Sequence, residues 1–152
     1  MIDGPIRTAY RAAHLMLRSY WFVRRPETSG ALAAVWWDER LLLVKNSYRS
    51  FHTLPGGYVH PGEDPRVAAS RELREETSVV LEPSTFTHAY HGTHPFEFRK
   101  DTLDIYETRI SEKPVIRIDR REVVWADFLT VEEIRRRKIV PHLRDYLDAK
   151  GR

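Results

Sequence analysis

Residues 64 to 80, DPRVAASRELREETSVV, restrict the chain more than any other stretch. Asp64 is an N-cap residue type, and Pro65 falls at the first helical position, where its missing N–H costs nothing. Val67, Ala69 and Leu73 supply apolar positions for burial, and Ser78 closes the run before β-branched Val79 and Val80. A helix here places residues three and four apart on one face, so Glu72, Glu75 and Glu76 point the same way. Like charges at that spacing destabilise a helix unless a cation sits among them. Hard oxygen donors in that arrangement suit Mg²⁺ or Mn²⁺. Gly56 and Gly57 precede the helix in a loop closed by Pro61-Gly62, where glycine lets the backbone approach a ligand.

The spacing runs Gly57, Glu63, Arg71-Glu72-Leu73, Glu75-Glu76, Ser78, Val79. It resembles the Nudix box of the Nudix hydrolases, which has glycine where this chain has Ser78. Six fixed residues at ordinary frequencies would coincide on the order of once in 10⁷ windows, so a merely solvated charged helix is the weaker reading. The Ser78 position is expected to serve the backbone at the helix end rather than a ligand.

The resemblance implies an α/β fold: a Nudix-type α/β/α sandwich with a mixed sheet, here with an extra N-terminal helix. The hydrolase domain is expected over residues 27–152, with residues 1–26 a helical extension outside the resemblance. The resemblance also implies hydrolysis of a nucleoside diphosphate linked to another group X, by water attack on phosphorus. Carried over by position, Glu72, Glu75 and Glu76 are metal carboxylates, and the Gly56 carbonyl is a further ligand. Arg71 orients a glutamate, with Glu63 and Gly57 supporting from outside the metal's ligands. Glu75 either ligates or acts as base. In many members a downstream acid activates the water, and Glu122, with Asp119 behind it, is the candidate here. Lys45 and Arg49 flank the approach to Gly56 as phosphate-binding candidates.

The substrate is less constrained. A proline sixteen positions past the box is associated, within the family, with ADP-ribose pyrophosphatases, and Pro95 stands sixteen after Val79. ADP-ribose or a nucleotide sugar is therefore placed first, ahead of nucleoside triphosphates and dinucleoside polyphosphates. A nucleotide-sensing Nudix domain without catalysis is the alternative of another class. Degenerate boxes mark such proteins, and this box keeps its acids.

At 152 residues, with 41% hydrophobic and 31% charged content, the chain suits one soluble domain. It has no cysteine, which excludes disulfides, thiolate metal sites and a thiol nucleophile and fits a reducing compartment. A formal net charge of +3 favours anions mildly and is no DNA-binding footprint.

Arg7 to Arg25 reads as a helix ended by Pro26, with Ala9, Ala12, Ala13, Met16, Tyr20 and Val23 on its packing face and Arg11, His14 and Arg18 on another. The charged residues interrupt any signal-peptide core, so the expectation is a cytoplasmic protein with this helix packed on the domain or in a homodimer, not in a membrane.

Strands are expected at Ala31 to Trp37 and Leu41 to Lys45 as a hairpin, then Thr85 to Tyr90, Leu103 to Ile110, and Glu122 to Phe128. Residues 91 to 101 read as a loop over the site. Tyr48, Phe51 and His52 offer aromatic surface before the glycines. His88, His91 and His94 recur every third residue, a spacing that suits neither one face of a strand nor a ligand loop, so zinc is set aside. Thr130 and Glu133 form a capping box for a helix over 131 to 137, and a last helix spans Pro141 to Ala149.

Overall fold

A computed structural model describes residues 3–151. Helix α1 (Asp3–Arg24) is followed by strands β1 (Glu27–Trp37), β2 (Arg40–Asn46) and β3 (Gly56–Tyr58), and by helix α2 (Pro65–Thr77). A 3₁₀ turn at Pro83–Thr85 leads into β4 (Thr87–Phe96), β5 (Arg99–Ile110) and β6 (Val123–Thr130), then α3 (Val131–Arg135) and α4 (Pro141–Ala149). The sheet order is β4-β5-β1-β2-β6, with β3 on the first half of β1. The β1–β5 pair is parallel from Glu27↔Lys100 to Trp37↔Ile110, and the remaining pairs are antiparallel.

Central β1 is buried continuously from Gly30 to Trp36, as a strand covered on both faces must be. Alternate residues separate its two cores. Ala31, Ala33 and Val35 pack with Ala68, Ala69 and Leu73 of α2, while Leu32, Ala34 and Trp36 pack with Ile134, Leu143, Tyr146 and Leu147 of α3 and α4. This is the expected α/β/α sandwich around a mixed sheet. Val67 is exposed and Ala68 takes its place in the core.

The local signals of α2 are realised. Asp64 accepts from the Arg66 N–H at 2.8 Å, and Pro65 opens the helix. Ser78 closes it in the left-handed conformation at φ 60°, its N–H donating to the Arg74 carbonyl. That conformation is why glycine is favoured there. The Thr130–Glu133 capping box is also present, on a helix two residues shorter than expected.

Two expectations need correction. Residues 91 to 101 are not a loop: β4 runs on to Phe96 and turns at Glu97-Phe98 into β5. Both turn residues have positive φ, 48° and 68°, a two-residue hairpin turn usually announced by Asn-Gly or Gly and here carrying neither.

The second correction is the packing face of α1. Met16, Tyr20 and Val23 are exposed, whereas His14 and Trp21 are buried. His14 Nε2 meets the Glu97 carboxylate at 3.1 Å, the Arg99 guanidinium lies 4.1 Å from the Trp21 ring centroid, and Tyr10 stacks on Tyr48. Arg7 and Arg11 donate to the Arg120 and Ser47 carbonyls. The surface that receives α1 is charged and aromatic, so the polar aromatic side of the helix faces it. No helix among the described residues is long and apolar enough to cross a membrane.

Candidate active site

Helix α2 and β3 form one wall of a cavity of about 420 Å³. Close approach of the glycine pair to its neighbours makes this wall. A Cβ on Gly56 would lie 2.4 Å from the Ala31 carbonyl oxygen, and one on Gly57 would lie 2.6 Å from a Glu72 carboxylate oxygen. A side chain at Gly56 would force β3 off β1, and one at Gly57 would displace the Glu72 carboxylate. The Gly56 N–H donates to Glu76 Oε2 at 3.0 Å.

Arg71 fixes the geometry of this wall. Its Nε and Nη2 donate to the two oxygens of Glu63 at 2.9 and 3.0 Å, Nη1 donates to Glu72 at 2.7 Å, and Nη2 also reaches the Tyr58 carbonyl. The paired bonds from Arg71, helped by the His60 N–H, hold the Glu63 carboxyl down at about 2. Glu63 is thus an anchor for Arg71, which in turn orients Glu72.

Glu72, Glu75 and Glu76 line the same cavity, and Glu122, at the entry to β6, joins them. Burial pushes Glu76 up to about 8, opposed by the Gly56 N–H and reinforced by the charges of Glu72 and Glu122. Burial also raises Glu72, against the pull of Arg71. Of these four carboxylates only Glu72 and Glu75 touch Arg71, which also gives two hydrogen bonds to Glu63. The donor set is hard, oxygen-rich and short of positive charge, which fits Mg²⁺ or Mn²⁺.

Glu122 Oε1 accepts from the Tyr48 hydroxyl at 3.0 Å, and burial raises the Tyr48 phenol well above its usual range. The proton therefore stays on Tyr48, which can hold the Glu122 carboxylate in place as a donor.

The opposite wall comes from distant segments: Tyr48 and Arg49 after β2, Phe96 of β4, Arg99, Asp101 and Leu103 of β5, and His142 of α4. Arg99 donates to Asp101 at 3.1 Å, and Asp101 also accepts from Thr28 at 2.7 Å. Arg49 donates to Glu97 at 3.2 Å. Among the described residues, Arg49 Nε, Arg99 Nε and His142 Nδ1 are buried without a hydrogen-bond partner. Burial pulls His142 down to about 4, so its imidazole is neutral near pH 7. Unpaired buried polar atoms are costly, and these three belong to residues that line the cavity.

Of the residues singled out in the sequence, Gly56, Gly57, Arg49, Arg71, Glu72, Glu75, Glu76 and Glu122 line the cavity, with Glu63 directly behind Arg71. Lys45 does not. Asn46 takes the lining position beside it, after a register shift at Lys45/Asn46. Pro95 also lies outside the lining, exposed on edge strand β4, a position that tolerates proline because no ladder donor is lost inward. No sequence motif marks Asn46, Phe96, Arg99, Asp101 or His142, and Arg99 and Asp101 sit on a hairpin whose Glu97-Phe98 turn carries no Gly or Asn signal.

The model of the NUDIX domain matches residues 26–149. This chain belongs to the Nudix hydrolase family. Its fold is similar to that of a MutT NUDIX hydrolase from Burkholderia pseudomallei, at 21% identity and TM-score 0.71 over 80% of this chain and 96% of that one. It is similar also to the NUDIX domain of Shewanella oneidensis NrtR complexed with ADP ribose, at 18% identity and TM-score 0.70 over 82% and 87%. A C. elegans Ap4A hydrolase matches at 17% identity and TM-score 0.69 over 82% and 95%. At such identities the likeness is one of fold. No curated protein sequence matches the chain.

Proposed function

We propose that this Nudix domain is a Mg²⁺-dependent pyrophosphohydrolase that cleaves a nucleoside diphosphate linked to a group X, with ADP-ribose or a nucleotide sugar as the leading substrates. The observation that carries the reading is the convergence of Glu72, Glu75, Glu76 and Glu122 on one cavity that Arg49, Arg99 and His142 also line.

Glu72, Glu75 and Glu76, with Gly56, are the residues that would hold the metal, which when bound neutralises phosphate oxygens and lowers the pKa of water. Arg71, gripped by Glu63, sets the Glu72 rotamer, and Gly57 leaves room for that carboxylate. Glu122, held by the Tyr48 hydroxyl, takes the proton of the attacking water. Arg49, Arg99 and His142 receive the hydroxyls or phosphate oxygens of the far half of the substrate. A ligand with polar groups at both ends spans the two walls, which favours a molecule such as ADP-ribose, the ligand bound by the structurally similar NrtR domain.

The test is hydrolysis of ADP-ribose, nucleotide sugars, nucleoside triphosphates and dinucleoside polyphosphates with Mg²⁺ or Mn²⁺, with products resolved by chromatography. Turnover of ADP-ribose or a nucleotide sugar above the others supports the proposal. Preference for triphosphates or diadenosine polyphosphates reassigns the substrate within the same chemistry. Saturable nucleotide binding with no turnover under either metal overturns it in favour of a sensor.

A further inference from the structure

Away from the glutamates, β4 and β5 bring together two histidines and an aspartate. His88 Nε2 lies 2.7 Å and His91 Nδ1 2.9 Å from the same oxygen, Asp104 Oδ1. One ligand atom from each of the three residues falls within 4.8 Å of the others.

On a regular strand, residues three apart face opposite ways. A bulge removes that obstacle here. His88 pairs with Tyr106, Tyr90 with Ile105 and His91 with Asp104, so Ala89 is an extra residue on β4. Three steps along β4 therefore match two along β5, and His88 and His91 emerge on the same face. His94 lies beyond the bulge on regular ladder and turns the other way, bonded to Tyr90 and Asp145. The third residue completing the cluster is thus Asp104 rather than the next histidine.

We propose that His88, His91 and Asp104 form a binding site for a zinc-class divalent ion, separate from the glutamate centre. Two imidazoles and one carboxylate are borderline ligands, suited to Zn²⁺ or Co²⁺ and poorly suited to Mg²⁺. A tetrahedral ion at about 2.1 Å from each ligand needs ligand atoms about 3.4 Å apart, so each histidine nitrogen must draw back from Asp104 Oδ1 by about 0.5 to 0.7 Å. The His88 and His91 side chains are 46% and 59% exposed, so the larger part of that adjustment falls to the His91 ring and the fourth position is open to water. The His88 ring also packs edge-on against Tyr106 at 5.3 Å, which limits its swing. A metal here ties edge strand β4 to its neighbour across the bulge, where backbone pairing is interrupted.

The experiment titrates the full chain with zinc sulfate by calorimetry, with Mg²⁺ in excess to occupy the glutamates. One zinc per chain is expected, and His88→Gln, His91→Gln and Asp104→Asn should each raise its Kd at least about tenfold, while His94→Gln leaves it unchanged. Wild-type protein loaded with Co²⁺ under the same Mg²⁺ excess should show the intense visible bands of a four-coordinate site, a readout that does not depend on any variant folding. Zinc binding of wild-type strength in His88→Gln and His91→Gln overturns the proposal. So does the absence of both zinc uptake and cobalt bands when Mg²⁺ is in excess.

Discussion

The two walls of the cavity are built in opposite ways. The carboxylate wall comes from one contiguous stretch, Gly56 to Glu76, in which a glycine pair, a helix and an arginine clamp are set by spacing and capping. The arginine wall gathers Arg49, Phe96, Arg99, Asp101 and His142 from segments far apart in the chain. The first wall carries an excess of carboxylates and the second two arginines and a histidine, and the proposed function divides chemistry and recognition between them. A wall defined by local rules can be read residue by residue, while an assembled wall depends on a hairpin and a helix arriving together.

The sharpest way to break this division is Glu76→Gln, which should lower kcat roughly 10³-fold by removing one anion from the metal cluster. The fold should survive, and the metal-free protein gives an independent check. Glu76 is raised from the ordinary 4.5 to about 8, so its contribution to stability is complete below pH 4.5 and lost as pH rises through 8. Metal-free wild type should therefore melt lower at about pH 8.5 than at about pH 6, Mg²⁺ should remove the difference, and Glu76→Gln should flatten the dependence. Thermal melts across pH with and without metal test this, and a flat wild-type profile counts against the buried charge.

Glu122 stands between the walls. Glu122→Gln should lower kcat roughly 10²-fold with metal affinity little changed, as for loss of a general base. Retention of more than about half of wild-type kcat would pass the base role to Glu75, and a parallel fall in metal affinity would make Glu122 a ligand.

On the opposite wall, Arg99→Met should raise KM about tenfold with a much smaller change in kcat if its guanidinium binds substrate as proposed rather than acting on the reacting phosphate. Steady-state kinetics on the best substrate decide it. A loss confined to kcat would mean that Arg99 acts on the reacting phosphate and that the walls do not divide the labour.

The smallest effect concerns the end of α2. Ser78 occupies a left-handed conformation that costs a side-chain-bearing residue about 1–2 kcal/mol, part of which its hydroxyl recovers by donating to the Arg117 carbonyl. Ser78→Gly should stabilise the protein by roughly 0.5–1 kcal/mol in denaturant unfolding, with kinetics unchanged. Destabilisation would show that the hydroxyl contact outweighs the backbone strain.

The sequence by itself determined the carboxylate centre, the β1–β2 hairpin and the two C-terminal helices, because spacing, capping and alternation act between near neighbours. Glu72, Glu75 and Glu76 share a face by helix geometry alone, and no distant residue is needed to place them. Tertiary structure decided which side of α1 is buried, since the periodicity of Met16, Tyr20 and Val23 cannot reveal that the receiving surface carries Glu97, Arg99 and Tyr48. It also decided the second wall and the His88–His91–Asp104 cluster. An unannounced turn at Glu97-Phe98 extends the hairpin, and one extra residue at Ala89 turns His91 to the face of His88, a change of register visible only against the partner strand.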